Sequence, residues 1–286
     1  MICFAKNICI FNLICYSVNA TFSQHFRDYI LENYNQSYLQ KFERKDLGLG
    51  FLGSLGGKLY EQEFSQLTPI ILFNAEGQRA LWFETAREYF ISRGYKFGDI
   101  YGISIGDGGF NFLPFISAEC RHIKTIREFI SLVSEYRNST LDIVAYSMSS
   151  PLVRKAILGG TCIDDGFNLG VPITNQINTF ISVAGANYGF ESCNFLKLFV
   201  RQCNIVNGLV CNSLFIQDIN NQTSKFEGNK THSIYSQLDW VIGQICCNNI
   251  CSELKNADRN YILNPQDHFS IIYNSLDLMY HLFNYD

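Results

Sequence analysis

Basic clusters are missing from this chain of 286 residues. Charged side chains make up only 17% of it, and 22 Lys and Arg against 26 Asp and Glu give a formal net charge of −4. A protein that binds nucleic acid needs a positively charged face for the phosphates, so nucleic acid is not an expected partner. Internal repeats of solenoid length are also missing. The glycine-rich run 48–57 is not followed by the Gly-Lys-Ser/Thr of a phosphate-binding loop.

A hydrophobic run long enough to span a membrane is missing as well. The apolar stretch Ile8–Val18 is too short to cross a bilayer. Lys6 precedes it and the small-x-small sequence Val18–Ala20 follows it, which is typical of a signal peptide over residues 1–20. A buried N-terminal strand is the alternative interpretation. We therefore expect a secreted, extracellular protein without a transmembrane segment, whose residues 21–286 form a single domain.

Cysteine usage and glycosylation motifs both fit secretion. Three of the 11 cysteines lie in the predicted signal peptide and eight remain. An even number fits disulfide bonds in an oxidising compartment, but eight cysteines allow about a hundred pairings, among which the sequence does not choose. Zinc binding by Cys247 and Cys251 is poorly supported because no matching ligand pair lies nearby. The N-glycosylation sequons are at Asn35, Asn138, Asn221 and Asn229.

Short apolar strands alternate with helical patterns through the rest of the chain. Strands are predicted at residues 68–73, 99–105, 141–145, 179–184, 231–235 and 259–263. Helices are predicted at residues 81–94, 119–136 and 272–283. The alternation indicates an α/β fold with a mostly parallel sheet covered by helices on both faces. An irregular excursion containing three cysteines interrupts the pattern at about 187–229.

The most informative run begins at the strand Leu141–Ala145. Ser147 follows it in a small-x-Ser-x-small pattern, with Ala145 and Ser149 at the small positions, and a helical pattern begins around Pro151. Small flanking residues let a strand and a helix approach closely, which lifts the middle side chain clear of the sheet. The pattern predicts a nucleophile elbow and an α/β-hydrolase fold, although an ordinary serine in a strand–turn–helix is the alternative.

A nucleophilic serine needs a base and an acid, and the chain order Ser, Asp, His is typical of this fold. Among the five histidines, His268 alone is predicted on a loop between a strand and a helix. Asp239 follows a predicted strand, so its carboxylate can lie at the carboxyl edge of the sheet. Asp218 in the excursion is the rival acid, and Asp267 is poorly placed to reach the adjacent imidazole. The predicted catalytic residues are therefore Ser147, Asp239 and His268.

Together these motifs resemble the class 2 lipase family, secreted lipase-like proteins abundant in nematodes and related to small bacterial triacylglycerol lipases. The resemblance covers roughly residue 25 to the end. It implies an α/β-hydrolase that cleaves carboxyl esters of lipids, with Ser147 as nucleophile, Asp239 as acid and His268 as base, and with no metal or organic cofactor. The residues that carry it are 142–148, 154–160, 183–187, 234–236 with Asp239, and 267–268.

The loop after the first core strand departs from the family pattern. The family has His-Gly where this chain has Asn74 and Ala75, and the resemblance then assigns the oxyanion-hole N–H groups to Glu76 and Met148. A carboxylate that points toward a developing oxyanion opposes it, so this loop is expected to reduce activity.

The sequence thus predicts a secreted serine ester hydrolase, lipase-like, acting on triacylglycerol or related lipid esters through an acyl-serine intermediate, with possible contact to a lipid interface. The alternative is a catalytically impaired lipase-like protein that binds lipid or a protein partner. A purely structural secreted glycoprotein leaves the order of Ser147, Asp239 and His268 unexplained.

Overall fold

The computed structural model describes residues 21–47, 53–63, 65–75, 78–108, 117–196 and 200–285. The predicted signal peptide over residues 1–20 lies outside the described residues. The strands are β1 Ser54–Leu55, β2 Ile70–Phe73, β3 Ile100–Ile103, β4 Leu141–Tyr146, β5 Ile177–Val183, β6 Lys230–Tyr235, β7 Ile245–Cys246, β8 Asn249–Ile250 and β9 Arg259–Ile262. The α-helices are α1 Gln24–Asn33, α2 Gln36–Glu43, α3 Glu84–Ser92, α4 Cys120–Arg137, α5 Ser149–Leu158, α6 Cys193–Leu196, α7 Leu214–Asn220, α8 Ile271–Asn274 and α9 Leu276–Asn284.

Seven of these strands form one sheet in the order β1-β3-β2-β4-β5-β6-β9. All neighbours in it are parallel except β1, which runs antiparallel to β3 at one edge. The two-stranded hairpin β7–β8 stands apart from this sheet. The carboxyl ends of the parallel strands meet along one edge, where α/β sheets place their ligand sites. β4 lies in the middle of the sheet, so the residue after it is presented near the centre of that edge.

Helices cover both faces of the sheet, as predicted, because the central strands are apolar on both sides. Ile143 and Ala145 of β4 belong to the core shared with α1, α2, α4 and α5. Val144 and Tyr146, which alternate with them, belong to the core shared with α3, α8 and α9. The alternation therefore directs Tyr146 to the side of the sheet on which the last two helices pack.

Element boundaries differ from the predicted ones where local geometry overrides the hydrophobic period. The predicted helix 81–94 begins as a 3₁₀ turn at Ala80–Phe83 before α3, and the predicted helix 272–283 is two helices that meet at Ser275. The excursion is less irregular than expected because it contains α6 and α7. The segment before residue 58, in which no elements are predicted from the sequence, contains α1, α2 and the edge strand β1.

The eight cysteines outside residues 1–20 form four disulfide bonds. Two of the bonds join the excursion, the hairpin β7–β8 and the loop after it into one cross-linked region. The pairs are Cys120–Cys162, Cys193–Cys203, Cys211–Cys247 and Cys246–Cys251. The pairing answers the question that the sequence left open and removes Cys247 and Cys251 as free thiolate ligands for zinc.

No helix in the described ranges is both long enough and apolar enough to cross a membrane.

A buried carboxyl at the start of β4 makes the stability of the fold depend on pH. Asp142 is fully buried, and its Oδ1 accepts hydrogen bonds from Asn178 Nδ2 (2.9 Å) and the backbone N–H of Thr179 (3.0 Å). Its Oδ2 has no hydrogen-bond partner among the described residues. Burial raises the pKa of Asp142 from 3.8 to about 7, because desolvation disfavours the charged form more than these bonds favour it.

We expect the Asp142 carboxyl to lower the stability of the wild type as pH rises. A folded-state pKa above the unfolded value means that the protonated form stabilises the fold fully below pH ~4, and that this contribution is lost between about pH 4 and pH 7. Asp142→Asn removes the titrating group. Over this pH range the free energy of unfolding of the wild type should therefore fall, relative to that of the variant, by up to roughly 4 kcal/mol. Urea unfolding of both proteins at pH 4 and at pH 8 measures the change. Parallel pH profiles would contradict the prediction.

Candidate active site

Ser147 lies in the turn between β4 and α5 with backbone geometry that few residues adopt. Its φ is +59°, in the left-handed region, and its N–H donates to the carbonyl oxygen of Val183 at 2.9 Å. The small residues two positions before and two positions after it, Ala145 and Ser149, are fully buried. The Ser149 hydroxyl lies 2.8 Å from the carbonyl oxygen of Phe73 and 2.9 Å from that of Tyr146. A serine thus fits at the second small position of the pattern, since its hydroxyl finds backbone acceptors.

His268 brings its imidazole to Ser147 from the loop between β9 and α8. The Ser147 Oγ lies 3.0 Å from Nε2 of His268, and Nδ1 of His268 lies 2.8 Å from Oδ2 of Asp239. All three side chains are at most 4% exposed. The structure therefore brings the three residues predicted from the sequence into one chain of hydrogen bonds.

The Asp239 carboxylate is fixed by its own backbone surroundings. Its Oδ1 accepts the N–H groups of Val241 at 2.9 Å and Ile242 at 3.0 Å, while Oδ2 faces the imidazole. These two hydrogen bonds hold the orientation of the carboxylate. With Nδ1 donating to Asp239, Nε2 carries the lone pair that can accept a proton from the Ser147 hydroxyl.

The rival acids are engaged elsewhere. Asp218, on α7, forms an ion pair with Lys155 at 2.7 Å. Asp267 accepts the backbone N–H groups of Phe269 at 2.8 Å and Ser270 at 2.9 Å, just before α8. The bonds from Ser270 and Phe269 hold the pKa of Asp267 below its ordinary value. Neither carboxylate is the partner of the His268 imidazole.

A buried polar network, which no pattern in the sequence predicts, lies behind the elbow. The Ser150 hydroxyl is 2.8 Å from Ser182 Oγ and 2.7 Å from Asn187 Oδ1, and Asn187 Nδ2 donates to the carbonyl oxygen of Ser252 at 3.0 Å. All of these side chains are buried. The network joins α5, β5 and the loop after β8, so it stabilises the strand–turn–helix that contains Ser147. Its members are scattered in sequence, and no local pattern links them.

The predicted oxyanion-hole residues are Met148 and Glu76. Met148 follows Ser147 at the N-terminus of α5, where the first backbone N–H groups have no acceptor within the helix. Gln202 of the excursion donates from Nε2 to the Met148 Sδ at 3.3 Å, so the excursion reaches the residue beside Ser147. Glu76 lies outside the described residues. The preceding Asn74 is buried and donates from Nδ2 to the carbonyl oxygen of Arg79 at 2.6 Å.

Aromatic side chains lie next to Ser147, His268 and Asp239. Trp240 directly follows Asp239 and is 73% exposed, while Phe269 directly follows His268 and is 47% exposed, with their ring centroids 6.3 Å apart. A small cavity of about 40 Å³ lies beside Phe269. It is lined mainly by aromatic and apolar side chains: Asn74, Gln78, Trp82, Phe83, Tyr146, Phe269, Ile272 and Tyr273.

Metal binding is not supported by the donor groups at hand. Within the described ranges, the one group of histidine, cysteine and acidic side chains close enough to share an ion is Cys120, Cys162, Asp164 and Asp165. Its two cysteines are joined in a disulfide bond, so they offer no thiolate.

Solved structures with the same fold include several lipases. The mature form of the lipase BlEst2 from Bacillus licheniformis is 12% identical, with a TM-score of 0.55 over 80% of this chain and 96% of that one. Lipase B from Aspergillus fumigatus is also 12% identical, with a TM-score of 0.50 over 73% of this chain and 48% of that one. At these identities the likeness shows the fold alone. No curated protein matches the sequence.

Family membership follows from the sequence itself. A model of the family described as lipase (class 2) matches residues 67–280, which span every strand of the main sheet except β1 and include Ser147, Asp239 and His268. The chain is therefore an α/β-hydrolase that belongs to the class 2 lipase family.

Proposed function

We propose that this protein is a secreted serine hydrolase that cleaves carboxyl esters of lipids through an acyl-enzyme intermediate on Ser147. The observation that carries the proposal is the buried chain from Ser147 Oγ to His268 Nε2 (3.0 Å) and from His268 Nδ1 to Asp239 Oδ2 (2.8 Å). Family membership supports a lipid ester as the substrate.

The first half of the reaction acylates the serine. Ser147 Oγ attacks the ester carbonyl carbon while Nε2 of His268 takes the hydroxyl proton, and Asp239 stabilises the imidazolium that forms. The negative oxygen of the tetrahedral intermediate is assigned to the backbone N–H groups of Met148 and Glu76. When the intermediate collapses, the bond to the alcohol oxygen breaks and His268 returns the proton to the leaving alkoxide.

The second half releases the acid. A water molecule gives its proton to Nε2 of His268 and attacks the acyl carbon, and the Ser147 Oγ leaves with that proton. Only side chains and backbone N–H groups take part, so the proposal includes no cofactor.

Secretion is part of the proposal. The four disulfides are of the kind that persist in oxidising compartments. The four sequon asparagines are all exposed, which a glycan requires. N-terminal sequencing of protein secreted by a eukaryotic host should show a chain that begins near Thr21, and glycosidase treatment should lower its mass.

The decisive assay combines probe labelling with turnover. Folded protein should react with a fluorophosphonate at Ser147, identified by mass spectrometry of the labelled peptide, and should hydrolyse p-nitrophenyl esters over a series of acyl lengths. Absence of both activities in folded protein with four disulfides would end the enzyme proposal. Labelling without turnover would instead favour the impaired lipase-like protein, for which the Asn74-Ala75-Glu76 loop is the supporting observation.

We also expect exposed aromatic residues beside the triad to contact a lipid surface. Trp240→Ser should lower the rate on emulsified triacylglycerol by roughly tenfold, because the variant loses the large apolar side chain whose transfer from water into the lipid favours docking. The rate on a dissolved short-chain ester should change less than about twofold, because docking is then not required. The matched control is Tyr60→Ser, a similarly exposed aromatic in the loop that adjoins Gly98 rather than the triad. Equal losses on both substrates would contradict the interfacial role.

A further inference from the structure

Tyr146 connects the strand of the nucleophile to the loop of the base. It is the last residue of β4 and directly precedes Ser147, yet its side chain points to the opposite face of the sheet from that of Ala145. The hydroxyl donates to the main-chain carbonyl oxygen of His268 at 2.8 Å. The side chain is 4% exposed, so water does not compete effectively for this bond.

The ring of Tyr146 also packs against the imidazole. The two ring centroids are 5.2 Å apart, and the planes are inclined by 30°. An aromatic face at this distance restricts rotation of the imidazole and attracts its protonated, cationic form. Burial and the nearby Asp239 raise the pKa of the Tyr146 phenol, so its hydroxyl remains a donor across the working pH range.

The loop that carries His268 depends on side-chain bonds for its shape. Ser236 Oγ donates to Asn264 Oδ1 at 2.9 Å and accepts the backbone N–H of Gln266 at 3.3 Å. Asp267 Oδ1 accepts the backbone N–H of Ser270, just before α8. These bonds fix the residues before His268 and the helix after it. The Tyr146 bond is made to the main chain of His268 itself, where a small displacement changes both imidazole hydrogen bonds.

We propose that Tyr146 is a positioning residue for the catalytic base: its hydroxyl fixes the main chain of His268 and its ring fixes the imidazole plane. This inference rests on the proposed function of Ser147, His268 and Asp239. Because Ser147 and Tyr146 are consecutive, one short segment of β4 sets the position of the nucleophile and of the base together. Misplacement of reacting groups by a fraction of an ångström to 1 Å is costly in enzymes, so this link should appear in the rate.

Two substitutions separate the hydroxyl from the ring. Tyr146→Phe removes one buried hydrogen bond and should lower kcat about threefold to tenfold, with KM changed less than about twofold. Tyr146→Leu removes the ring as well and should lower kcat further, on the order of 30-fold or more. The matched control is Tyr101→Phe, which also removes a buried tyrosine bond to a backbone carbonyl, that of Gly98 at 2.6 Å, but at the amino end of β3.

The pH dependence of kcat/KM distinguishes positioning from a general loss of stability. Its acidic limb reports protonation of the essential base in the free enzyme. Weaker alignment with Asp239 stabilises the imidazolium less, so Tyr146→Phe should displace this limb, whereas Tyr101→Phe should leave it unchanged. Rates are normalised to the fraction of protein that a fluorophosphonate labels, which removes misfolded molecules from the comparison.

A spectroscopic readout tests the same point without turnover. In the wild type, the Nδ1 proton between His268 and Asp239 should give a resolved downfield proton NMR signal, assigned by its loss in His268→Ala. The signal should weaken or broaden in Tyr146→Phe and persist in Tyr101→Phe. Equal effects of the two tyrosine variants on rate, pH profile and this signal would overturn the inference. An inactive wild type with an intact signal would overturn the proposed function and leave the positioning role decided by NMR.

Discussion

Ester hydrolysis by Ser147→Ala is expected to fall by about 10⁵-fold, and its fluorophosphonate labelling to disappear. Among the residues that the structure describes, the hydroxyl of Ser147 is the side-chain group hydrogen-bonded to Nε2 of His268, at 3.0 Å. Without it no acyl-enzyme can form, and only binding and electrostatic stabilisation of the attack of water remain. The measurement is initial rates on a short-chain ester at high enzyme concentration, with the purified variant shown to be folded by circular dichroism.

The control for this substitution is Ser224→Ala, which changes an exposed serine in the loop before β6. It should keep the wild-type rate and labelling. Residual turnover of Ser147→Ala within tenfold of the wild type would show that another residue is the nucleophile.

The second large effect is expected for Asp239→Asn, with a loss of roughly 10⁴-fold in kcat at neutral pH. An amide at this position can donate to Nδ1 of His268 and so favour the tautomer in which Nε2 carries the proton. Nε2 then cannot accept the proton of Ser147. The fold should survive, because the Asn oxygen can still accept the backbone N–H groups of Val241 and Ile242.

Asp218→Asn decides between the two acids. Asp218 pairs with Lys155 and does not contact His268, so its variant should keep activity within a few-fold of the wild type while losing some thermal stability. If Asp218→Asn were the inactivating change and Asp239→Asn active, the assignment of the acid would be wrong.

The fold could be predicted because its strands and helices follow patterns that are local in the chain, and Ser147, Asp239 and His268 became the candidate residues from their places on those elements. β4, the small residues around Ser147 and the helix that follows occupy one uninterrupted run, and the predicted loop between a strand and a helix separated His268 from the other histidines. The disulfide pairing could not be predicted, since Cys211–Cys247 and Cys120–Cys162 join segments that only the folded sheet brings together. The boundaries of α3 shifted for a different reason: the first turn is 3₁₀, which a 3.6-residue period does not describe.

Tyr146 shows the limit of the pattern more sharply. The five-residue elbow pattern constrains the first, third and fifth positions and is silent about the second, which Tyr146 occupies. Its hydrogen bond reaches His268 across 122 positions of sequence, so no periodicity could reveal it. Strand alternation assigns Tyr146 to the opposite face from Ala145, but which loop lies there depends on the packing of α8 and α9.

The disulfide bonds join the excursion covalently to the segment that follows Asp239. Cys211–Cys247 anchors the interior of the excursion to the hairpin that follows Asp239, and Cys246–Cys251 closes that hairpin at its base. A displacement of this part of the excursion would therefore also displace the hairpin that follows Asp239. Gln202, whose amide contacts Met148, directly precedes Cys203, so the Cys193–Cys203 bond ties that contact to α6.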